Sequence, residues 1–122
     1  MNGLVLIVDD EFGIVEALAG AFEDSGYRVM SAYNGTQALA RLAEERPDLI
    51  VLDYMLPDRD GSRLRKLIAQ DALARIPVIL ISGAEESTIQ RAGVKYELFL
   101  RKPFRLVEIL EAAQQLTGAS AN

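Results

Sequence analysis

The chain contains neither cysteine nor histidine. Without thiols it can form no disulfide and no thiolate metal site, and without imidazole it lacks the commonest transition-metal ligand and the usual general base. Any metal must therefore be held by oxygen. Long apolar runs are missing too: none approaches the roughly 20 residues that span a bilayer, so no membrane insertion is expected. Positive charge is in short supply, 13 Lys and Arg against 18 Asp and Glu, for a formal net charge of -5. An acidic chain repels nucleic acid and anionic lipid alike, which argues against direct binding to either. The opening Met1-Asn2-Gly3 leads into an apolar segment without the basic and apolar regions of a secretory signal, which points to a cytoplasmic location. There is no internal repeat, no low-complexity stretch and no linker before the C-terminal tail.

What remains is the composition of a globular protein, with half of its 122 residues apolar and a quarter charged, enough for one domain with one core and no staples. Continuous apolar runs at Leu4 to Val8, Asp48 to Leu52, Ile76 to Ile81 and Leu98 to Leu100 suit strands covered on both faces. Arg28 to Ala32 is more polar and alternates, as an edge strand permits. Between them, Ile14, Leu18 and Phe22 share one helical face, as do Leu64, Leu67 and Ile68, and the stripe Leu106, Ile109, Leu110, Ala113, Leu116 marks a last helix. Asn34 followed by Gln37 reads as a capping box, while Gly26 and Pro47 mark helix exits. Asp60 is expected to cap the third helix, with Asp58 solvated nearby. Strand and helix alternate throughout, which calls for an α/β, doubly wound domain: a five-stranded parallel sheet with helices on both faces. A single domain over 1–122 is expected, with its core at 4–116 and a tail at 117–122.

In an open parallel sheet, ligands bind beyond the carboxyl ends of the strands, where the strand order reverses. The polar residues collect there: Asp9 and Asp10 follow the first strand, Asp53 the third, Ser82 the fourth and Lys102 the fifth. Three carboxylates in one crevice repel each other unless protonated or neutralised by a cation. Magnesium fits, since it accepts few carboxylates, keeps several waters and shares its remaining positions with phosphate oxygens. Lys102 offers a compact positive charge and Ser82 a hydroxyl donor to an arriving oxyanion.

In order along the chain stand Val8-Asp9-Asp10-Glu11, then Leu52-Asp53-Tyr54-Met55-Leu56-Pro57-Asp58-Arg59-Asp60-Gly61, then Ile81-Ser82-Gly83, then Lys102-Pro103-Phe104. This constellation resembles the CheY-like receiver domain of two-component response regulators over Leu4 to about Leu116. The resemblance implies a flavodoxin-like sheet in the order 2-1-3-4-5. It also implies that Asp53 is the phosphoacceptor and that Asp9, Asp10, Asp53 and the backbone carbonyl of Met55 hold Mg2+. Ser82 matches the hydroxyl that contacts the phosphoryl group, Lys102 the lysine that pairs with it, and Phe99 the aromatic switch position. The Lys102–Pro103 peptide is expected to be cis. Such a domain is a substrate as much as a catalyst and is not an enzyme acting on other molecules. Its partners would be a sensor histidine kinase or histidine phosphotransfer protein, since this chain has no histidine to act as phosphodonor, and a downstream effector protein.

The sequence departs from the family in three places. The span from Ser82 to Gly93 is short, so the fourth helix is expected to be stunted, roughly two turns over Glu85 to Ala92. Serine replaces the commoner threonine at position 82. Met55 and Ala84 stand where family side chains orient or obstruct the hydrolytic water, and neither can hydrogen-bond to it, so slow to moderate loss of phosphate is expected. A phosphatase of the haloacid dehalogenase type would need an acid two positions after the nucleophile, where Met55 stands. A flavin carrier would need a Ser/Thr/Gly-rich loop where Asp10-Glu11-Phe12-Gly13 stands. The remaining alternative is a receiver-like docking module that works without phosphorylation.

Overall fold

The computed structural model describes residues 2–56, 59–70 and 75–118, without the side chains of residues 59 and 60. Strands and helices alternate as β1 (Leu4–Val8), α1 (Phe12–Asp24), β2 (Arg28–Ala32), α2 (Gly35–Glu44), β3 (Leu49–Asp53), α3 (Arg59–Ile68), β4 (Val78–Ser82), α4 (Glu86–Arg91), β5 (Leu98–Arg101) and α5 (Leu106–Thr117). The five strands form one sheet in the order β2-β1-β3-β4-β5, and every neighbouring pair is parallel. β1, β3 and β4 are buried along their whole length, which is why they read as unbroken apolar runs. β2 and β5 lie at the edges and keep polar or half-exposed positions.

Successive side chains of a strand point to opposite faces, and this splits the core in two. Val5, Ile7, Leu49, Val51, Ile79 and Ile81 pack with Val15, Leu18 and Phe22 of α1 and with Ile109 and Ala113 of α5. Their neighbours Leu6, Val8, Ile50, Leu52, Val78 and Leu80 pack with Ala38 of α2, Leu64 and Ile68 of α3, and Ile89 of α4. Helices thus cover both faces, each held by an apolar stripe worth about 1.5 to 3 kcal/mol per fully buried large side chain.

The expected boundaries shift where a local bond overrides the apolar run. β3 begins at Leu49 because the Asp48 carboxylate turns back to accept the Leu4 N–H at 2.8 Å. β4 begins at Val78, since Pro77 has no N–H to give a ladder. Asn34 Oδ1 accepts the Gln37 N–H at 2.8 Å, and Gln37 Oε1 in turn accepts the Tyr33 N–H at 2.8 Å. Thr117, assigned to the tail by sequence, is the last residue of α5; its hydroxyl donates to Ala113 O at 2.8 Å and meets Tyr27 Oη at 3.3 Å. α3 starts at Arg59, so Asp60 falls inside its first turn rather than ahead of it; Asp58 lies outside the described residues, and so do 119–122. α4 has only six residues, flanked by Glu85 and Ala92, and is the stunted helix that the short Ser82–Gly93 span implies.

Candidate phosphoacceptor site

The carboxyl edge of the sheet is built by where each apolar run stops. β1 ends at Val8, and the next residue, Asp9, is buried completely; Asp10 turns out to solvent. β3 ends in Asp53, 3% exposed, and β4 in Ser82, fully buried. The β3–β4 register sets Asp53 beside Ile81, and the Tyr54 N–H continues the ladder to Ile81 O at 3.0 Å. On the other side of β4, the Lys102 N–H reaches Ser82 O at 2.8 Å, so β5 delivers its lysine to the same edge. The Lys102–Pro103 peptide is cis.

Carboxylate oxygens of Asp9, Asp10 and Asp53 come within 4.8 Å of one another. Lys102 Nζ lies 2.9 Å from Asp9 Oδ2, 3.0 Å from Glu11 Oε1 and 3.6 Å from Asp53 Oδ2. One oxygen of each inner acid is already tied to the backbone: Asp9 Oδ1 accepts the Glu11 N–H at 2.9 Å, and Asp53 Oδ1 the Met55 N–H at 3.1 Å. Asp9 Oδ2 is buried, and its partner is the Lys102 ammonium at 2.9 Å. Set among two further acids, this oxygen is part of an arrangement that a hard cation relieves. The donor set is all oxygen, so the residues present fit magnesium.

The electrostatics follow from burial. Desolvation pushes the Asp53 carboxyl up to about 6, against the pull of the Met55 N–H; Asp9 and Asp10 push the same way as burial, while Lys102 opposes them. Burial draws the Lys102 ammonium downward, yet Asp9, Glu11 and Asp53 outweigh it and hold the group above the ordinary lysine value. Lys102 therefore stays charged, and Asp53 holds its proton more tightly than a free aspartate.

Ser82 Oγ accepts the Ala84 N–H at 3.1 Å. It thus closes the turn after β4 rather than capping α4, which begins at Glu86. Met55 follows β3 with its side chain 65% exposed. Phe99 points to the opposite face from Leu98 and Leu100: it is half-buried in the core shared with α4, its ring 6.2 Å from that of Tyr96. Glu11 was not among the residues that sequence reasoning assigned to the site, although it holds Lys102 as closely as Asp9 does. Beside the site, an apolar cleft of about 500 Å³ runs between α1 and the start of α5, lined by Ile14, Leu18, Phe104 and Leu106 and sharing Glu11 and Lys102 with the acidic cluster.

Comparison with known proteins decides the kinship. The sequence profile of the response regulator receiver domain matches residues 5–114. The chain belongs to this family. Phosphate regulon transcriptional regulatory protein PhoB of Pseudomonas aeruginosa is 40% identical over 120 residues, covering 93% of this chain and 52% of that protein, so the chain spans about half the length of this relative. Sporulation initiation phosphotransferase F of Bacillus subtilis is 36% identical over 124 residues, covering 100% of this chain and 99% of the relative. Among solved structures, the signal receiver domain of a signal transduction histidine kinase from Syntrophus aciditrophicus superposes with a TM-score of 0.83 at 32% identity, covering 95% of this chain and 90% of that one. The chain is a receiver domain homologous to phosphoacceptor response regulators, with the CheY-like sheet order. Receiver domains interact with histidine kinases or phosphotransfer proteins and with effectors, and typically bind Mg2+ in an acidic pocket of this kind. No helix among the described residues is long and apolar enough to cross a membrane.

Proposed function

We propose that Asp53 accepts a phosphoryl group from the phosphohistidine of a sensor kinase or phosphotransfer protein, and that the resulting change is read by an effector protein. The observation that carries this reading is the convergence of Asp9, Asp53 and Lys102 from three separate strand ends, with Lys102 Nζ 2.9 Å from Asp9 Oδ2 and 3.6 Å from Asp53 Oδ2. Asp9, Asp10 and Asp53, with the Met55 carbonyl, would hold Mg2+, whose charge offsets the acids and the phosphoryl oxygens. In the transfer, an Asp53 oxygen attacks phosphorus, a P–O bond forms and the donor's P–N bond breaks. The imidazole leaves with its electron pair and takes up a proton. Lys102, already charged and 3.6 Å from Asp53 Oδ2, receives the negative charge on the phosphoryl oxygens, and the Ser82 hydroxyl donates to one of them after releasing the Ala84 turn.

Phe12, Met55, Leu106 and Val107 are exposed at the starts of α1 and α5 and after β3, which gives an incoming donor protein apolar footing around the acids. The movement of Ser82 would free space on the α4 side of the sheet, where Phe99 already packs, so the altered surface is that of α4, β5 and α5. Apart from its own phosphorylation and slow dephosphorylation, the domain is not an enzyme. The exposed Met55 side chain and Ala84 offer no hydrogen bond to a hydrolytic water.

The test is incubation with Mg2+ and a small acyl phosphate, followed by intact mass. Wild type gains one phosphoryl group, Asp53→Asn gains none, and chelation of the metal stops the reaction. An unmodified wild type under these conditions would favour a docking module that works without phosphorylation. A phosphoprotein that discharges within seconds would overturn the slow-hydrolysis part.

A further inference from the structure

The residue after Asp53 is contacted twice by a side chain twelve positions beyond Asp53. Arg65 lies on α3, half-buried. Its Nη1 donates to Tyr54 O at 3.2 Å, and the same guanidinium sits over the Tyr54 ring, 5.2 Å from the centroid, close enough for a cation–π contact. The Tyr54 N–H is meanwhile fixed to Ile81 O of β4 at 3.0 Å. Both backbone polar groups of Tyr54 and its ring are therefore held.

The consequence lies in the next peptide. Tyr54 C=O and Met55 N–H belong to one planar unit and point to opposite sides of it. Arg65 grips the oxygen end of that unit, and the hydrogen end donates to Asp53 Oδ1 at 3.1 Å. A rigid plate thus connects the guanidinium to the carboxylate. Charge on the donor at one end also polarises the peptide and strengthens the N–H bond at the other. With Oδ1 held by this bond, Oδ2 is turned toward Lys102, 3.6 Å away. Gly61 contributes by leaving room: a Cβ there would come within 2.9 Å of Leu56 Cβ, pushing α3, and Arg65 with it, away from the loop.

The geometry points to Arg65 as a positioning residue for Asp53, acting through the Tyr54–Met55 peptide to set the rotation of the acceptor carboxylate. The rate consequence rests on the phosphoacceptor reading above; the structural linkage does not. Two measurements keep these apart. The first is the amide proton resonance of Met55 in metal-free protein, which reports the bond to Asp53 whether or not the protein is ever phosphorylated. Arg65→Ala should move it upfield and speed its exchange with solvent, while Arg65→Lys, which keeps a charged donor but loses the planar stack, should move it part of the way. The second is phosphorylation by a small acyl phosphate at saturating Mg2+. Arg65→Ala should slow it roughly tenfold, the scale of one charge-assisted hydrogen bond, with Arg65→Lys recovering most of the rate.

An unmoved Met55 amide in both variants overturns the proposal, whatever the rates do, because a slower reaction would then come from general loosening. A shifted amide with a wild-type rate in Arg65→Ala overturns the positioning role. Failure of the wild type to accept phosphate strikes the phosphoacceptor reading and leaves the amide experiment to judge the linkage. If Arg65→Ala does not fold, Arg65→Lys together with Tyr54→Leu, which removes the ring beneath the guanidinium, carries the same two readouts.

Discussion

At the tip of β3, Asp53 is 3% exposed, bonded through Oδ1 to its own turn and facing an ammonium that two further acids also hold. Across β4, the flank made by α4 and β5 contrasts at each point: a six-residue helix, a four-residue edge strand with no fully buried position, and Phe99 half-covered. Ion pairing and burial prearrange the first region, while the second is held by one fully buried side chain of α4, Ile89, and by partly buried residues of β5. Chemistry needs the former, because a misplaced nucleophile loses rate steeply. A readout needs the latter, because only a weakly packed element changes position for the few kcal/mol that one phosphoryl group supplies.

The comparison is broken most directly at Lys102. Lys102→Ala leaves Asp9 buried with no counter-charge, and urea unfolding at pH 7 in chelator should show a loss of about 3 kcal/mol, much of it recovered by millimolar Mg2+. An unchanged midpoint would mean that the acids at this tip do not depend on the ammonium. Asp53→Asn acts in the other direction. The folded carboxyl holds its proton up to about pH 6 where the unfolded one releases it near 3.8, so the native state binds the proton more tightly and metal-free stability falls as pH rises through that window. The amide variant escapes that loss. At pH 8 it should be the more stable protein by about 1 to 2 kcal/mol, after allowing for water at the mouth of the site, and the advantage should vanish below about pH 4. A pH-independent difference would show that packing, not charge, sets it.

Two changes on the flank should register less. Ser82→Ala removes the acceptor for the Ala84 N–H and should cost about 1 kcal/mol, with phosphorylation still occurring but its effect on α4 amide exchange reduced. Tyr96→Phe cuts the 2.8 Å bond to Glu86 that ties the segment ahead of β5 back to α4. The unfolding midpoint should stay where it is, while exchange of the α4 amides quickens. If α4 amides were already as protected as those of β1, the contrast between the two regions would be wrong.

Much of this was legible in the sequence, for identifiable reasons. A parallel strand covered on both faces has no choice but to be apolar throughout, so β1, β3 and β4 announced themselves, and the residues that ended them were where the sheet must meet solvent. That rule singled out Asp9, Asp53, Ser82 and Lys102, which the fold brings to one edge of the sheet. Glu11 escaped because its partner lies 91 positions away, and nothing local distinguishes a third acid after an acidic pair from a solvated one. The first residue of β3 was misjudged by one position because Asp48 spends its carboxylate on the Leu4 amide, a contact between separate strands that apolar patterning does not register. Arg65 was invisible for a related reason: its role depends on a backbone oxygen, which has no letter in the sequence.

The division of the core by strand parity has a consequence for how such a domain can diversify. Alternate letters of each strand serve separate helical layers, so Ala38, Leu64, Ile68 and Ile89 can be exchanged as a set without disturbing the side chains that Val15, Phe22 and Ile109 meet. A library randomised in one layer should retain folded, charge-paired members at a far higher frequency than one that scatters the same number of changes across both. Lineages could then tailor one broad side of the molecule to new associates while leaving the other as inherited.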